Sequence, residues 1–214
     1  MISIRPYTLA DVEALIAIQA ACFPPPFPPE LWWKPEQIAS HVKIFPAGAL
    51  CAVNAAGELV GSATAHIIRM DTAHLQHTWS AASADGWLTN HDPTGDTLYG
   101  VDIAVVPRWR GRGVAKALYG ERFALVKRLG LARFIAGSRI SGYKNYRHLS
   151  PEAYVATVIA GEIADPVITP QLRAGLQPQS LVHNYLPDTD AADCALLMEW
   201  RNPQLTQVTN GTSS

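Results

Sequence analysis

The chain has 214 residues, 48% of them hydrophobic, and a formal net charge of -1. That is enough apolar material for one full core, and the even charge balance excludes the broad basic footprint of a nucleic-acid binder. Cys22, Cys51 and Cys194 are odd in number and widely spaced, which suits buried free thiols in a reducing compartment. The opening MISIRPYTLAD lacks the apolar core of a signal peptide, and no run is long enough to span a bilayer. A soluble cytoplasmic protein is expected.

Residues 2–7 read as a short strand. Thr8 can cap a helix whose first turn holds Asp11 and whose inner face carries Val12, Leu15 and Ile16. The prolines of CFPPPFPPELWWKP forbid regular structure, so Phe23, Phe27, Trp32 and Trp33 belong to an apolar loop, packed on the core or walling a substrate. Pro35 starts a helix with Ile38 and Val42 on one face. Strands at 49–53 and 59–68 form a hairpin through NAAGE. Residues 70–96 are polar and without periodicity, a length of loop that usually carries function. Trp79 and Trp87 anchor it, and Asp85, Asp92 and Asp96 offer charge for a cationic ligand. A strand at 97–106, a helix at 112–129 and a strand at 132–136 follow. Ser150-Pro151-Glu152 opens a helix reaching about residue 162, Thr169-Pro170 starts a short turn, and strands at 180–186 and 194–200 close the fold. The pattern gives a mixed sheet flanked by helices, α+β or α/β. It reads as one domain over 1–201, with 202–214 as a flexible tail.

The junction between VDIAVVP and the amphipathic helix that follows carries Arg108, Arg110, Gly111, Arg112 and Gly113. Glycines let the backbone approach a ligand, and N–H groups at a helix N-terminus attract anions. A P-loop needs G-x-x-x-x-G-K-[ST], which is absent. A dinucleotide fingerprint needs a third small residue where Lys116 stands.

Arg110-Gly111-Arg112-Gly113-Val114-Ala115 fits [Q/R]-x-x-G-x-[G/A] after an apolar strand and Pro107. In that setting it resembles the acetyl-CoA motif of the GNAT N-acetyltransferase superfamily. IRPYTLADVEAL is similar to that family's first strand and helix. TNHDPTGDTLYG, LGLARFIAGSRISGY and HNYLPDTDAADCALLMEW resemble one branch, often found as the N-terminal half of longer proteins with a carbon–nitrogen hydrolase (nitrilase-like) domain. Here a stand-alone version is expected. The chain has Gly175-Leu176 where many members of that branch have Gly-Phe.

The resemblance implies a mixed, mostly antiparallel central sheet and direct acetyl transfer from acetyl-CoA, as co-substrate, to a primary amine in a ternary complex. It implies that Ile103, Ala104 and Val105 bind pantetheine through their main chain, and that Arg110, Gly111, Arg112, Gly113, Val114, Ala115 and Lys116 hold the pyrophosphate. The acceptor expected is a small-molecule or peptide amine, with no nucleic acid or membrane partner; a homodimer is the assembly considered.

Acetyl transfer needs a neutral amine, a polarised carbonyl and a protonated leaving thiolate. Asp102, within an otherwise apolar strand, suits a base whose pKa burial has raised; a satisfied structural carboxylate is the alternative. Asp96 fits the DPTGD turn. The superfamily often uses a tyrosine beyond the strand after the motif helix as general acid, which points to Tyr143. His74 and His77 of HLQH, with His91, could ligate a metal, but no supporting Cys pair or H-E-x-x-H accompanies them; no metal is expected. The rival to an enzyme is a non-catalytic acyl-CoA-binding module.

Overall fold

The computed structural model describes residues 2–70 and 76–206. β1 (Ser3–Pro6) leads through Thr8 into α1 (Val12–Cys22), and α2 (Pro35–Ile44) follows the proline-rich segment. β2 (Ala49–Val53) and β3 (Leu59–Ile68) form the hairpin read from the sequence. Then come α3 (Trp79–Ser83), β4 (Thr97–Val105), α4 (Val114–Arg128) and β5 (Arg133–Arg139). α5 (Pro151–Ile159), α6 (Ile168–Arg173), β6 (Gln177–Val182), β7 (Ala195–Arg201) and α7 (Pro203–Thr206) complete the described chain.

The strands make one seven-stranded sheet in the order β1-β2-β3-β4-β5-β7-β6. Every neighbouring pair is antiparallel except β4 and β5. Side chains alternate between its faces. Phe134 and Ala136 of β5, with Leu196 and Met198 of β7, pack beneath α4, α5 and α6. Ile135 and Leu197 point to the other face, with Leu15 of α1, Ile38 of α2 and Trp79 of α3. Both faces of the central strands are therefore buried, which accounts for their continuous apolar runs.

The N-terminal junction shows how local chemistry sets the frame. Asp11 accepts from the Thr8 N–H at 2.8 Å and from both terminal nitrogens of Arg5 at 2.7 and 2.8 Å. That clamps the end of β1 to the start of α1 and holds the Asp11 carboxyl down at about 2.

Three segments depart from the expectation. The aperiodic loop contains α3, a helical turn capped by Thr78, which accepts from Ala81 N at 3.1 Å. β5 runs three residues beyond Ala136, because β7 pairs with it as far as Arg139. β6 stops at Val182 rather than Leu186: Asn184 takes a φ of 51°, and Tyr185 and Leu186 leave the sheet. In the tail, Pro203–Thr206 is a helical turn, and 207–214 lie outside the described residues. Among the described residues, no helix is long and apolar enough to cross a membrane.

Candidate active site

β4 and β5 run side by side from Thr97 and Arg133 only to Gly100 and Ala136. β4 then continues against β3, and β5 against β7. At the parting point Gly100 has no room for a side chain, because Phe134 and Ala136 occupy the space a Cβ would need. One residue on, the ladder with β3 slips: Ala65 faces Gly100, Thr64 faces Asp102, and Val101 is the extra residue of a bulge. Bulges bend and twist the strand that carries them. The edge of Ile103–Val105 consequently faces an opening instead of a neighbouring strand.

Two spaces that share Phe23, Phe27, Ile103 and Tyr119 in their linings fill that opening. The larger is a groove of about 950 Å³. Ile103, Ala104 and Val105 line it, and so do Arg110, Gly111, Gly113, Val114, Ala115 and Lys116. Gly111 and Gly113 have φ of 73° and 81°, the left-handed region that glycine enters without cost, and nothing lies within 4 Å of where their Cβ atoms would stand. The first helical bond of α4 runs from Ala117 N to Gly113 O at 3.0 Å. The N–H groups of Val114, Ala115 and Lys116 thus have no partner within the helix, and the helix dipole adds positive potential there. Arg110 sits over the strand end, its Nε donating to Val105 O at 3.1 Å. Arg112 does not line the groove; its guanidinium lies 5.1 Å from the Trp109 ring centroid.

The smaller space is a chamber of about 110 Å³ at the bulge. Phe23, Phe27, Leu31, Trp33, Trp79 and Leu186 give it a largely apolar wall, and Asp102 is its one carboxylate. Gln19 Nε2 donates to Asp102 Oδ2 at 2.8 Å, and Thr64 N donates to Oδ1 at 3.1 Å. Burial pushes the Asp102 carboxyl up, against the opposing pull of Gln19, Arg122 and Thr64. Arg122 reaches up from α4 beneath the bulge, donating to the carbonyls of Thr64, at 2.8 Å, and of Asp102. On the far side, Trp79 Nε1 donates to Val101 O at 3.0 Å, fastening α3 to the exposed edge of β4.

Tyr143 is not brought to either space. Its short 3-10 turn directs it into the core, where its hydroxyl donates to Leu149 O at 2.9 Å and its ring meets Tyr154. Two other tyrosines line the chamber. Tyr185 shares a hydrogen bond of 2.8 Å with Tyr99, itself 2.7 Å from His77 Nε2. Tyr119 lines both groove and chamber, and its hydroxyl accepts from Gln171 Nε2 at 2.7 Å, leaving the phenolic proton to be donated. Burial raises its pKa, which keeps that proton in place.

The loop before β4 contributes Trp79 to the chamber, but its acids are used locally. Asp92 binds the N–H and hydroxyl of Thr94, Asp85 accepts from Ser80, and Asp96 accepts from Thr97 Oγ1 at 2.8 Å. Trp87 is 39% exposed and away from both spaces. His74 lies outside the described residues. His91 Nδ1 accepts from Ile67 N at 3.1 Å while its ring stacks on Phe45. Among the described residues, no group of three His, Cys, Asp or Glu could hold a metal ion.

Gln19, Arg122, Ser138 and Gln171 line the chamber without having been singled out in the sequence. A signal existed for two of them: Gln19 stands four residues after Leu15, and Arg122 falls in the apolar spacing Leu118, Tyr119, Leu125, Val126. A polar side chain on a buried helical stripe asks what it binds. Ser138 and Gln171 carried no such mark.

Residues 12–144 match the model of the acetyltransferase (GNAT) family. The chain is 44% identical over 203 residues to the Uncharacterized N-acetyltransferase YkwB of Bacillus subtilis (strain 168), covering 94% of this chain and 89% of that one. It is 38% identical over 194 residues to the Probable hydrolase YhcX of the same organism, covering 90% of this chain but 37% of that relative. Among solved structures, the GphF GNAT-like decarboxylase in complex with isobutyryl-CoA superposes with a TM-score of 0.77 at 24% identity, over 94% of this chain and 99% of that one.

Proposed function

The chain belongs to the acetyltransferase (GNAT) family, and from that premise we propose that it transfers an acetyl group from acetyl-CoA directly to a primary amine. The observation that supports this most is the splay of β4 from β5. It leaves a strand edge and a glycine-led helix start on one space and a carboxylate on the space beside it, the two sharing Ile103 and Tyr119.

In this reading the main chain of Ile103–Val105 hydrogen-bonds the pantetheine as an added strand would, and an N–H there polarises the thioester carbonyl. The N–H groups of residues 111–116, with Arg110 and Lys116, take the pyrophosphate. Arg112, stacked on Trp109, acts at the rim. The amine nitrogen attacks the carbonyl carbon as its proton passes to Asp102. The C–S bond then breaks, and the thiolate takes a proton from Tyr119, the tyrosine common to both spaces. The proton held by Asp102 returns to Tyr119 through solvent, so the cycle balances.

Residues 1–201 form one acetyltransferase domain in this proposal, acting in the cytoplasm on a small-molecule or peptide amine. YhcX extends well beyond the part that this chain matches.

The test is release of free thiol from acetyl-CoA across an amine panel. Amine-dependent release, lost in Asp102→Asn, is expected. Tight acetyl-CoA binding with no turnover on any amine would favour the non-catalytic acyl-CoA-binding module.

A further inference from the structure

Seven side chains among the described residues bury a polar atom with no hydrogen-bond partner. Four of the seven, Trp33, Arg122, Ser138 and Gln171, line the chamber beside Asp102. Buried polar groups are rarely left unmatched, since desolvation is then uncompensated. Concentrated around one cavity, they describe the ligand that would match them.

The orphaned atoms differ in kind. Trp33 Nε1 and Arg122 Nε can only donate, Gln171 Oε1 can only accept, and the Ser138 hydroxyl can do either. The ligand must therefore present oxygen acceptors to two or three donors and at least one N–H to Gln171. Charge narrows the choice further. Arg122 is 1% exposed and makes no ion pair among the described residues: the nearby Asp102 carboxylate attracts it without contact, and its hydrogen bonds run to the carbonyls of Thr64 and Asp102. A buried guanidinium without an ion pair favours an anionic group beside it. A second cation in the lining, Arg139, is already paired with Asp188, and the wall is otherwise largely apolar, with Phe27, Leu31, Trp79 and Leu186.

We propose that the acetyl acceptor is a free α-amino acid with an apolar side chain, its carboxylate held by Arg122 and Ser138 and its amine by Asp102 and Gln171. The inference rests on reading the chamber as the acceptor side of an acetyltransferase. A carboxylate at the far end of a longer acyl group would satisfy Arg122, yet it would offer no N–H to Gln171 or Asp102. A lysine side chain of a folded protein carries no carboxylate beside its amine, so it would leave the orphaned donors unmatched. The apolar wall disfavours polyamines, whose second cation would face Arg122.

The experiment compares matched pairs that differ only in the carboxylate: leucine with 3-methylbutylamine, and phenylalanine with phenethylamine. Each is titrated calorimetrically into the CoA-loaded protein, and each is assayed for thiol release from acetyl-CoA. The amino acids are expected to bind at least about tenfold more tightly than their decarboxylated partners, the scale of one charge-assisted contact. Arg122→Met should remove most of that preference. Because Arg122 also braces the bulge, Ser138→Ala provides a second variant that leaves the brace intact and should reduce the preference in part. Amino-acid binding without turnover would uphold the chamber assignment while overturning the transferase reading. Turnover of both members of each pair at equal efficiency would overturn the amino-acid proposal and leave the transferase standing. A preference for succinyl-CoA over acetyl-CoA, with no discrimination among amines, would put the carboxylate on the acyl group and also overturn it.

Discussion

Gly113→Ala separates the two jobs of the turn before α4. Gly113 has a φ of 81°, and an alanine there incurs the left-handed penalty of about 1–2 kcal/mol. No atom lies within 4 Å of the new Cβ, so the free protein gains strain but no clash. For a chain of this size the melting temperature should fall by about 2–8 °C, at roughly 2–4 °C per kcal/mol. Gly130→Ala is the matched control: its φ is 65°, its Cβ also meets open space, and it lies past the other end of α4, outside the groove. Both variants should melt earlier by similar amounts. Only Gly113→Ala puts a methyl group where phosphates would approach the first N–H groups of α4, and its acetyl-CoA affinity should fall about tenfold or more, which is about 1.4 kcal/mol or more. Calorimetric titration of the two folded variants decides the matter. Wild-type affinity in Gly113→Ala, alongside the expected loss of stability, would refute the pyrophosphate assignment.

Asp102→Asn should lower amine-dependent turnover about a hundredfold or more while acetyl-CoA affinity holds, measured by thiol release and calorimetry. Burial raises the Asp102 pKa, so the acid limb of the wild-type rate profile should lie above the usual carboxylate range. The same shift makes folding favour the protonated form; its contribution to stability is lost as pH rises through the folded pKa, and Asp102→Asn should gain stability relative to wild type over that rise in thermal melts. Tyr119→Phe should slow turnover about tenfold or more and flatten the alkaline limb, whereas Tyr143→Phe should change stability and spare the pH profile. Asp11→Asn should cost about 1–2 kcal/mol at neutral pH in denaturant melts, discounted because the Arg5 side chain is 43% exposed. With the Asp11 pKa lowered from 3.8 to about 2, that contribution is present above the unfolded value and disappears as pH falls through about 2.

What could be read in advance follows from how local each cause is. The β2–β3 hairpin, the proline that starts α2 and the glycines before α4 act within a few residues of themselves, and their elements lie where the pattern placed them. The splay of β4 from β5 is different. It depends on Phe134 filling the space above Gly100 and on a bulge defined by register against β3, neither of which is visible along one strand. α3 was hidden because five residues are too few for periodicity to show, leaving the Thr78 cap as its only mark. Tyr143 illustrates the same limit: the family pattern supplies a tyrosine near that point of the chain, but a single turn aims its hydroxyl at Leu149 O. The chamber's polar lining comes from α1, β4, α4, β5 and α6, so its coherence exists only once the sheet assembles them.

Amide hydrogen exchange with and without acetyl-CoA tests most directly whether the opening between β4 and β5 is an acyl-CoA site. Strong protection of the N–H groups in Ile103–Val105 and in 111–116, leaving the exposed end of α4 at Leu129–Gly130 unchanged, is the expected result. Saturable binding with protection elsewhere, or no protection at saturating acetyl-CoA, would contradict it.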